Sequence, residues 1–456
     1  MKKSLFAWTL VGGITLSGLV AGHQAHAWND GGDPMETGDD QEYLVLFNSG
    51  KINEAALDEL YEAGAELLYE APEVGLVSLT AEDEAFLEAA RDVQGITAVS
   101  RSFEIETNDL MFEKDEDLFP AENSEEADLF EQYQWDIKRV TGDTAAWDIT
   151  KGSHDVVVGV IDTGVDFTHP DLEDNLLWGK AFHPDANGEE DAYRDSGMHG
   201  THVAGSIAAN GRSLGVGPEL GLASYRVTND QGRMNWAGIL DAITTAADDG
   251  VDVANLSLGT YTFINQEQDR LLRLSSMRAV QYANQKGMII VGANGNNAFD
   301  LGKPVTTEPG EGKIRGPLFD TFTDIPGVIS VSATSDRDTL TYYSNYGFRN
   351  VDLAAPGGDF GPEWPNEDGD TSLQQPESRA YSTIPVERGS YGWAMGTSMA
   401  APKVAAVAAL VKSENPGFSR ARVVNRLQQT AEKLDGGGHS EYFGHGLVDA
   451  EAALTR

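Results

Sequence analysis

Val156-Val-Val-Gly-Val-Ile161, followed at once by Asp162-Thr163-Gly164, carries the clearest architectural signal in the chain. A short apolar run rich in β-branched residues reads as a strand buried on both faces, and such strands belong to parallel sheets covered by helices on both sides. Sheets of that kind place functional groups at the carboxyl ends of their strands, which is where Asp162 falls. An Asp there can equally cap a turn. Met288-Ile-Ile-Val291 repeats the strand signal and leads into Gly292-Ala293-Asn294-Gly295-Asn296-Asn297. The expected fold class is α/β, with a mostly parallel central sheet and helices on both faces.

Two further strings give Asp162 a purpose. His199 opens His-Gly-Thr-His-Val-Ala-Gly (199–205), the start of an Ala- and Gly-rich helical stretch reaching about Ala209. An imidazole there can take a proton from a hydroxyl nucleophile if a carboxylate fixes its tautomer, and Asp162 is the candidate carboxylate. His202, one helical turn on, reads as a packed structural histidine. A zinc pair with His199 is disfavoured because no Glu stands between them as in His-Glu-x-x-His. Ser398 lies in Gly-Thr-Ser-Met-Ala-Ala-Pro (396–402), ahead of an Ala/Val run to Val411 that reads as a buried helix. A serine at a helix start is often only a cap. Here Gly396 gives the backbone freedom, and the Ser398 N–H would face a developing oxyanion along the helix dipole. Ala400 replaces the last glycine of Gly-x-Ser-x-Gly, which disfavours the α/β-hydrolase elbow.

Composition narrows the field further. The 456 residues carry 73 Asp and Glu against 32 Lys and Arg, a formal net charge of −41 at pH 7. Phosphate contacts need clustered Lys and Arg, so nucleic-acid binding is not expected; solubility in salty or calcium-bearing medium is the plain reading. The absence of cysteine excludes disulfides, thiolate metal sites and Cys nucleophiles. Lys2 and Lys3 precede an apolar stretch from Leu5 to Val20, and Ala25-His26-Ala27 has the small-x-small pattern of a signal-peptidase site. Residues 1–27 are therefore expected to be a signal peptide, the protein secreted, and no membrane association to persist after its removal. No later stretch approaches the roughly 20 apolar residues of a spanning helix.

Between that signal and Asp162 lies a unit with its own pattern. Tyr43–Phe47 and Val74–Leu79 read as strands, Glu54–Ala63 and Glu82–Arg91 as helices, and Ile96–Val99 as a closing strand. A further strand at Glu66–Tyr69 completes β-α-β-β-α-β, a small ferredoxin-like α+β unit over residues 28–110. Glu104–Glu131 is then dense in Asp and Glu, and its core, 111–132, reads as a solvated linker open to cutting. Residues 133–456 are expected to form a single domain carrying Asp162, His199 and Ser398.

The strings Val-Gly-Val-Ile-Asp-Thr-Gly-Val (158–165), His-Pro-Asp-Leu (169–172), His-Gly-Thr-His-Val-Ala-Gly, Asn-Leu-Ser-Leu-Gly (255–259), Gly-Thr-Ser-Met-Ala-Ala-Pro and the closing 444–454 resemble those of the subtilases, the subtilisin-like serine peptidases. The order Asp162, His199, Ser398 agrees, as does the precursor layout. The resemblance implies a secreted serine endopeptidase, acting on proteins or peptides and expected to be monomeric. Its N-terminal unit would be a pro-domain that templates folding, inhibits the site as an intramolecular partner and is cut off autocatalytically between Glu106 and Gln134. No appended binding domain is expected after residue 454. A catalytically silent binding protein and an esterase with the same triad are the rival readings; no triad residue is missing.

The resemblance also assigns an oxyanion donor and subsites. Aligning Gly295-Asn296 with the family's Gly-Asn makes Asn296 the donor. Ser257, Leu258 and Gly259 would run along the substrate as an added strand. Ala293, Asn294 and Gly295 would form the opposing S1 wall, with Asn294 where a small residue is usual; small walls imply an open pocket for apolar or aromatic P1 residues. Asp171 matches a calcium ligand of the family and Gln134 a second. Only Asn210–Leu214 separate the helix after His199 from Gly215, so the loop supplying the remaining ligands is truncated and that strong Ca²⁺ site is not expected. Two insertions, about 297–324 and 358–379, contain acidic residues including Glu367, Asp368 and Asp370, and oxygen-rich loops suit Ca²⁺, although a solvated loop is the favoured reading of the same composition. Ca²⁺ would be structural, with no cofactor in catalysis. Met399, beside the nucleophile, would be open to oxidation by peroxide.

Overall fold

The computed structural model describes residues 41–82, 85–102, 105–106, 113–114, 127–187, 192–263, 266–306, 315–366 and 369–456. The expected signal peptide and its cleavage site, most of the acidic linker, part of the first insertion, and Glu367 and Asp368 lie outside these residues.

The N-terminal unit runs β1 (Gln41–Phe47), α1 (Glu54–Glu62), β2 (Glu66–Ala71), β3 (Leu76–Ala81), α2 (Phe86–Asp92) and β4 (Ile96–Arg101). Its antiparallel sheet has the order β2-β3-β1-β4. The helix read from Glu82 begins at Phe86. Alternation along β1 divides its duties, because successive side chains of a strand point to opposite faces. Tyr43, Val45 and Phe47 pack under α1 and α2, whereas Leu44 and Leu46 join the core of the larger domain.

That domain is built on seven parallel strands: β5 (Val157–Asp162), β6 (Leu176–His183), β7 (Gly221–Arg226), β8 (Val253–Leu256), β9 (Ile289–Ala293), β10 (Val328–Thr334) and β11 (Leu353–Pro356). Their order is β11-β10-β9-β8-β5-β7-β6, and Ala186–Asn187 adds a short antiparallel strand beside β6. Helices α3 (His199–Ala208) and α6 (Thr397–Glu414) cover one face, and α4 (Trp236–Asp248) and α5 (Glu267–Lys286) the other. The opening stretch behaves as its composition requires: Val158 and Val160 enter the core under α3 and α6, Val157 and Ile161 the core under α4 and α5. From Met399 to Val411, α6 is buried throughout, which its Ala/Val composition permits. No helix among the described residues is long and apolar enough to cross a membrane.

Register positions the site. Leu256 of β8 lies opposite Ile161 of β5 and Gly292 of β9, so Asp162, Ser257 and Ala293 emerge side by side at the carboxyl edge of three adjacent strands. Neighbouring strands are about 4.8 Å apart, which brings three separate chain segments to one edge. The N-terminal sheet docks on the outer helices. Tyr69 Oη donates to Asp241 Oδ2 of α4 at 3.1 Å, and Arg278 Nη1 of α5 donates to the carbonyls of Phe47 and Val74 at 2.7 and 2.9 Å. Beyond β4, Ile105–Glu106 pairs antiparallel with Arg233–Met234.

Candidate active site

A cleft of about 670 Å³, partly open to solvent, lies at the carboxyl edge of the sheet. Asp162, His199, Ser257, Leu258, Gly259, Ala293, Gly295, Asn296 and Ser398 line it. One residue expected in its wall does not. Asn294 is fully buried, and its Nδ2 donates to the Asn345 carbonyl at 2.8 Å. Alternation along the strand end turns Asn294 away from the cleft while Ala293 and Gly295 border it.

His199 begins α3, and its Nδ1 stands 2.7 Å from Asp162 Oδ1, both side chains being buried. The helix start is tied down by a residue that the sequence reading passed over. Asp195 accepts from Thr163 Oγ1 at 2.5 Å, Gly197 N at 2.9 Å, and Thr201 N and Oγ1 at 2.9 and 2.7 Å. Thr163 Oγ1 in turn accepts from Gly200 N at 2.9 Å, so the strand bearing Asp162 and the helix bearing His199 share one network. An Asp just ahead of a helix, where its negative end complements the helix dipole, was the available signal. Burial raises the Asp195 pKa against the opposing pull of those donors. Gly200 permits the close approach: a Cβ there would lie 2.0 Å from the Gly164 carbonyl oxygen. His202 is fully buried, and burial, then the charges of Lys403 and His199, lower its pKa to about 3, so it stays neutral as a packed histidine.

Ser398 is the second residue of α6, and its Oγ donates to the Ser257 carbonyl at 3.3 Å. The reverse contact has a covalent cause. Pro402 has no N–H to offer the carbonyl four residues back, which leaves the Ser398 carbonyl free, and Ser257 Oγ donates to it at 3.0 Å. The nucleophile's helix is thereby joined to the strand end at Ser257. Asn296 meets the same helix through its oxygen: Oδ1 accepts from Thr397 N at 2.9 Å and Thr397 Oγ1 at 3.0 Å. With the oxygen held there, the amide nitrogen is the end free to face the cleft. A Cβ placed on Gly396 would lie 3.6 Å from both Asn296 Nδ2 and Ser398 N, so these two donors flank one space beside Gly396. Gly396 also has φ of 153°, which favours glycine.

The residues matched to calcium ligands do not fit a cation. Asp171 Oδ1 accepts from Arg212 N at 3.1 Å. Its Oδ2 accepts from Ser213 N at 2.8 Å, Ser213 Oγ at 2.7 Å and Tyr391 Oη at 3.1 Å. Gln134 Oε1 accepts from Leu214 N at 2.8 Å, while its Nε2 donates to the carbonyls of Leu214 and Tyr381. The shortened loop thus turns its own N–H groups onto the oxygens that calcium would need. In the second insertion, Asp370 caps the turn at 371–373. Among the described residues, no group of three or more His, Asp or Glu could hold a metal ion.

A parallel α/β sheet with Asp, His and Ser gathered at its carboxyl edge defines a serine-type hydrolase. Residues 153–446 match the Subtilase family of peptidases, and the chain belongs to that family. It is 34% identical over 342 residues to the thermophilic serine proteinase of Bacillus sp. (strain AK1), covering 74% of this chain and 71% of the relative. It is 30% identical over 416 residues to the M-protease of Shouchella clausii (strain KSM-K16), covering 91% of each. The fold is also that of the epidermin leader peptide processing serine protease from Staphylococcus aureus, with a TM-score of 0.74 at 24% identity over 91% of this chain and 98% of that one. The protein is a serine-type endopeptidase, and proteins or peptides are its substrates.

Proposed function

We propose that the endopeptidase works by an acyl-enzyme in which Ser398 is the nucleophile, His199 the general base and acid, Asp162 its orienting carboxylate, and Asn296 with the Ser398 N–H the oxyanion site. The observation that carries this reading is the buried 2.7 Å contact between His199 Nδ1 and Asp162 Oδ1 in a cleft also lined by Ser398 and Asn296. Ser398 Oγ attacks the peptide carbonyl as His199 takes its proton, and charge on the carbonyl oxygen meets the two N–H donors. His199 returns the proton to the leaving amine, and water then hydrolyses the ester. Ser257, Leu258, Gly259, Ala293 and Gly295 would border the bound peptide.

The protein is made, on this reading, as a secreted precursor whose N-terminal unit inhibits the mature domain and is removed by its own active site. Support comes from the strand Ile105–Glu106, which pairs beside Met234, a residue lining the cleft. Chain leaving the N-terminal unit is thereby brought to the site as a substrate-like strand. A shift to the free monomer follows its removal.

Casein hydrolysis by parent and Ser398→Ala protein is the test. A loss of about 10⁶-fold is expected, the magnitude established for subtilisin itself. Undiminished hydrolysis by the variant would sink the mechanism. N-terminal sequencing tests processing: the parent should mature within 107–134 and Ser398→Ala should stay a precursor, whereas identical maturation of both would place the cut in trans.

A further inference from the structure

The cleft contains one carboxylate that peptide-bond chemistry does not use. Asp320 is 3% exposed and lines the same cavity as Ser398, Leu258, Gly259, Ala293 and Gly295. A two-strand ladder sets it there: Tyr261 lies opposite Asp320, and Thr321 N donates to the Thr260 carbonyl at 2.9 Å. Asp320 Oδ1 accepts from Phe322 N at 2.9 Å and Thr323 N at 2.8 Å, closing a tight turn. Its Oδ2 approaches Gly259, 3.2 Å from where a Cβ on that glycine would stand. The turn explains the first oxygen only. An Asn or Ser side chain would cap the same turn without the cost of burying a carboxylate.

We infer that Asp320 makes this cavity a receptor for a basic side chain, so that the enzyme cleaves preferentially after Arg or Lys. The inference rests on the serine-peptidase reading above and on this cavity being the pocket for the P1 residue. Arg and Lys fit its chemistry in two parts. Their aliphatic stems match walls made of Leu258, Gly259, Ala293 and Gly295, and their charged heads supply what a buried carboxylate lacks. Tyr261 helps shape the cavity: a Cβ on Gly295 would meet its hydroxyl at 1.8 Å, and Asn345 Nδ2 donates to that hydroxyl at 2.6 Å. Residues 135–456 carry 43 Asp and Glu against 26 Lys and Arg, and this acidic balance also favours the approach of basic peptides. Small walls alone had implied a pocket for apolar or aromatic residues. A carboxylate in its lining changes which side chain it stabilises.

The test uses matured protein and peptides identical except for Arg, Lys, Leu or Phe at P1, with active sites counted by sulfonyl fluoride titration. Arg and Lys peptides should have kcat/KM at least about tenfold above Leu and Phe. Asp320→Asn, which keeps an acceptor for the turn, should lower kcat/KM for Arg and Lys by about 10²–10³-fold, with Leu and Phe falling far less. Asp320→Ser should invert the order in the same way. If both variants fail to fold, the parent's own order decides, together with competitive inhibition by benzamidine, which is expected. Leu or Phe above Arg in the parent, or an Arg-to-Leu ratio unchanged in the variants, overturns the inference and leaves the peptidase reading standing. Cleavage of none of the peptides, with no sulfonyl fluoride labelling, defeats both.

Discussion

Replacing Asp171 by Asn tests whether hydrogen bonds alone hold the residue that the family resemblance matches to a calcium ligand. Four donors meet this carboxylate: Arg212 N, Ser213 N, Ser213 Oγ and Tyr391 Oη. Asp171, Ser213 and Tyr391 are all buried, so water cannot replace what is lost. An amide is nearly isosteric but offers one acceptor oxygen. Three of the bonds would become neutral ones, each weaker by roughly 0.5–1.5 kcal/mol, and the amide nitrogen would face a backbone N–H left unsatisfied at a cost of about 1–3 kcal/mol. Partial relaxation reduces the sum, and about 2–4 kcal/mol is expected. Measured by thermal melting in a Ser398→Ala background, which prevents self-digestion, that is a fall of about 3–6 °C for a domain of this size. Parent and variant should respond alike to calcium and to chelator. A variant melting within a degree of its parent would refute the reasoning, as would calcium that raises the parent's midpoint but not the variant's.

Asn296→Ala should lower kcat by about 10²–10³-fold, the loss known for the equivalent donor in subtilisin; Asn294→Ala should lower the melting midpoint instead, and the reverse pattern would mean that the two asparagines have been misassigned. Lys403 and Asp136 form a fully buried ion pair at 2.7 Å. Lys403→Met should destabilise by about 3–5 kcal/mol by leaving Asp136 unpaired, while adding Asp136→Leu should restore most of it; denaturant titration of both variants would expose an error if the single change were neutral. Burial, with the charge of Asp324 adding and the amides of Thr323 and Phe322 opposing, raises the Asp320 pKa to about 7. Asp324 and Tyr261 lie near it, with Asp162 and His199 in the same cleft. The Arg-to-Leu ratio of kcat/KM should therefore rise with pH through about 7, since His199 acts on both peptides and cancels, and a flat ratio would count against an ionised Asp320. The sign for stability is opposite: between the ordinary carboxylate range and about 7 the native state holds a proton that the unfolded chain has released, so stability falls as pH rises there.

Much of the fold was legible because its signals are local. Six apolar residues before Asp162 specify a doubly buried strand, an Ala/Val run after Ser398 specifies a buried helix, and alternation in YLVLF separates the two faces of β1. The candidate triad was legible for a related reason: His199 and Ser398 sit in short strings whose glycines the local backbone requires, Gly200 by its close approach to Gly164 and Gly396 by its positive φ. The surroundings of Asp171 were not legible, because a motif records which residue is present and not what packs around it. Asp171 keeps its place in the chain, but Tyr391, 220 residues away, and the amides of a shortened loop fill its oxygens. Asn294 was misjudged through a single step of strand alternation, invisible until the register of β9 is known.

By itself the sequence determined the class of the protein: the strands, the order Asp162, His199, Ser398, the N-terminal unit and the absence of thiol chemistry all follow from residue types at short spacing. Tertiary structure alone decided what the cleft contains. Asp320 belongs to no string that suggests specificity, and it reaches the site only because a short ladder sets it opposite Tyr261 and against Gly259. Local pattern is written in neighbouring residues, whereas the charge lining a pocket depends on which distant segments pack together.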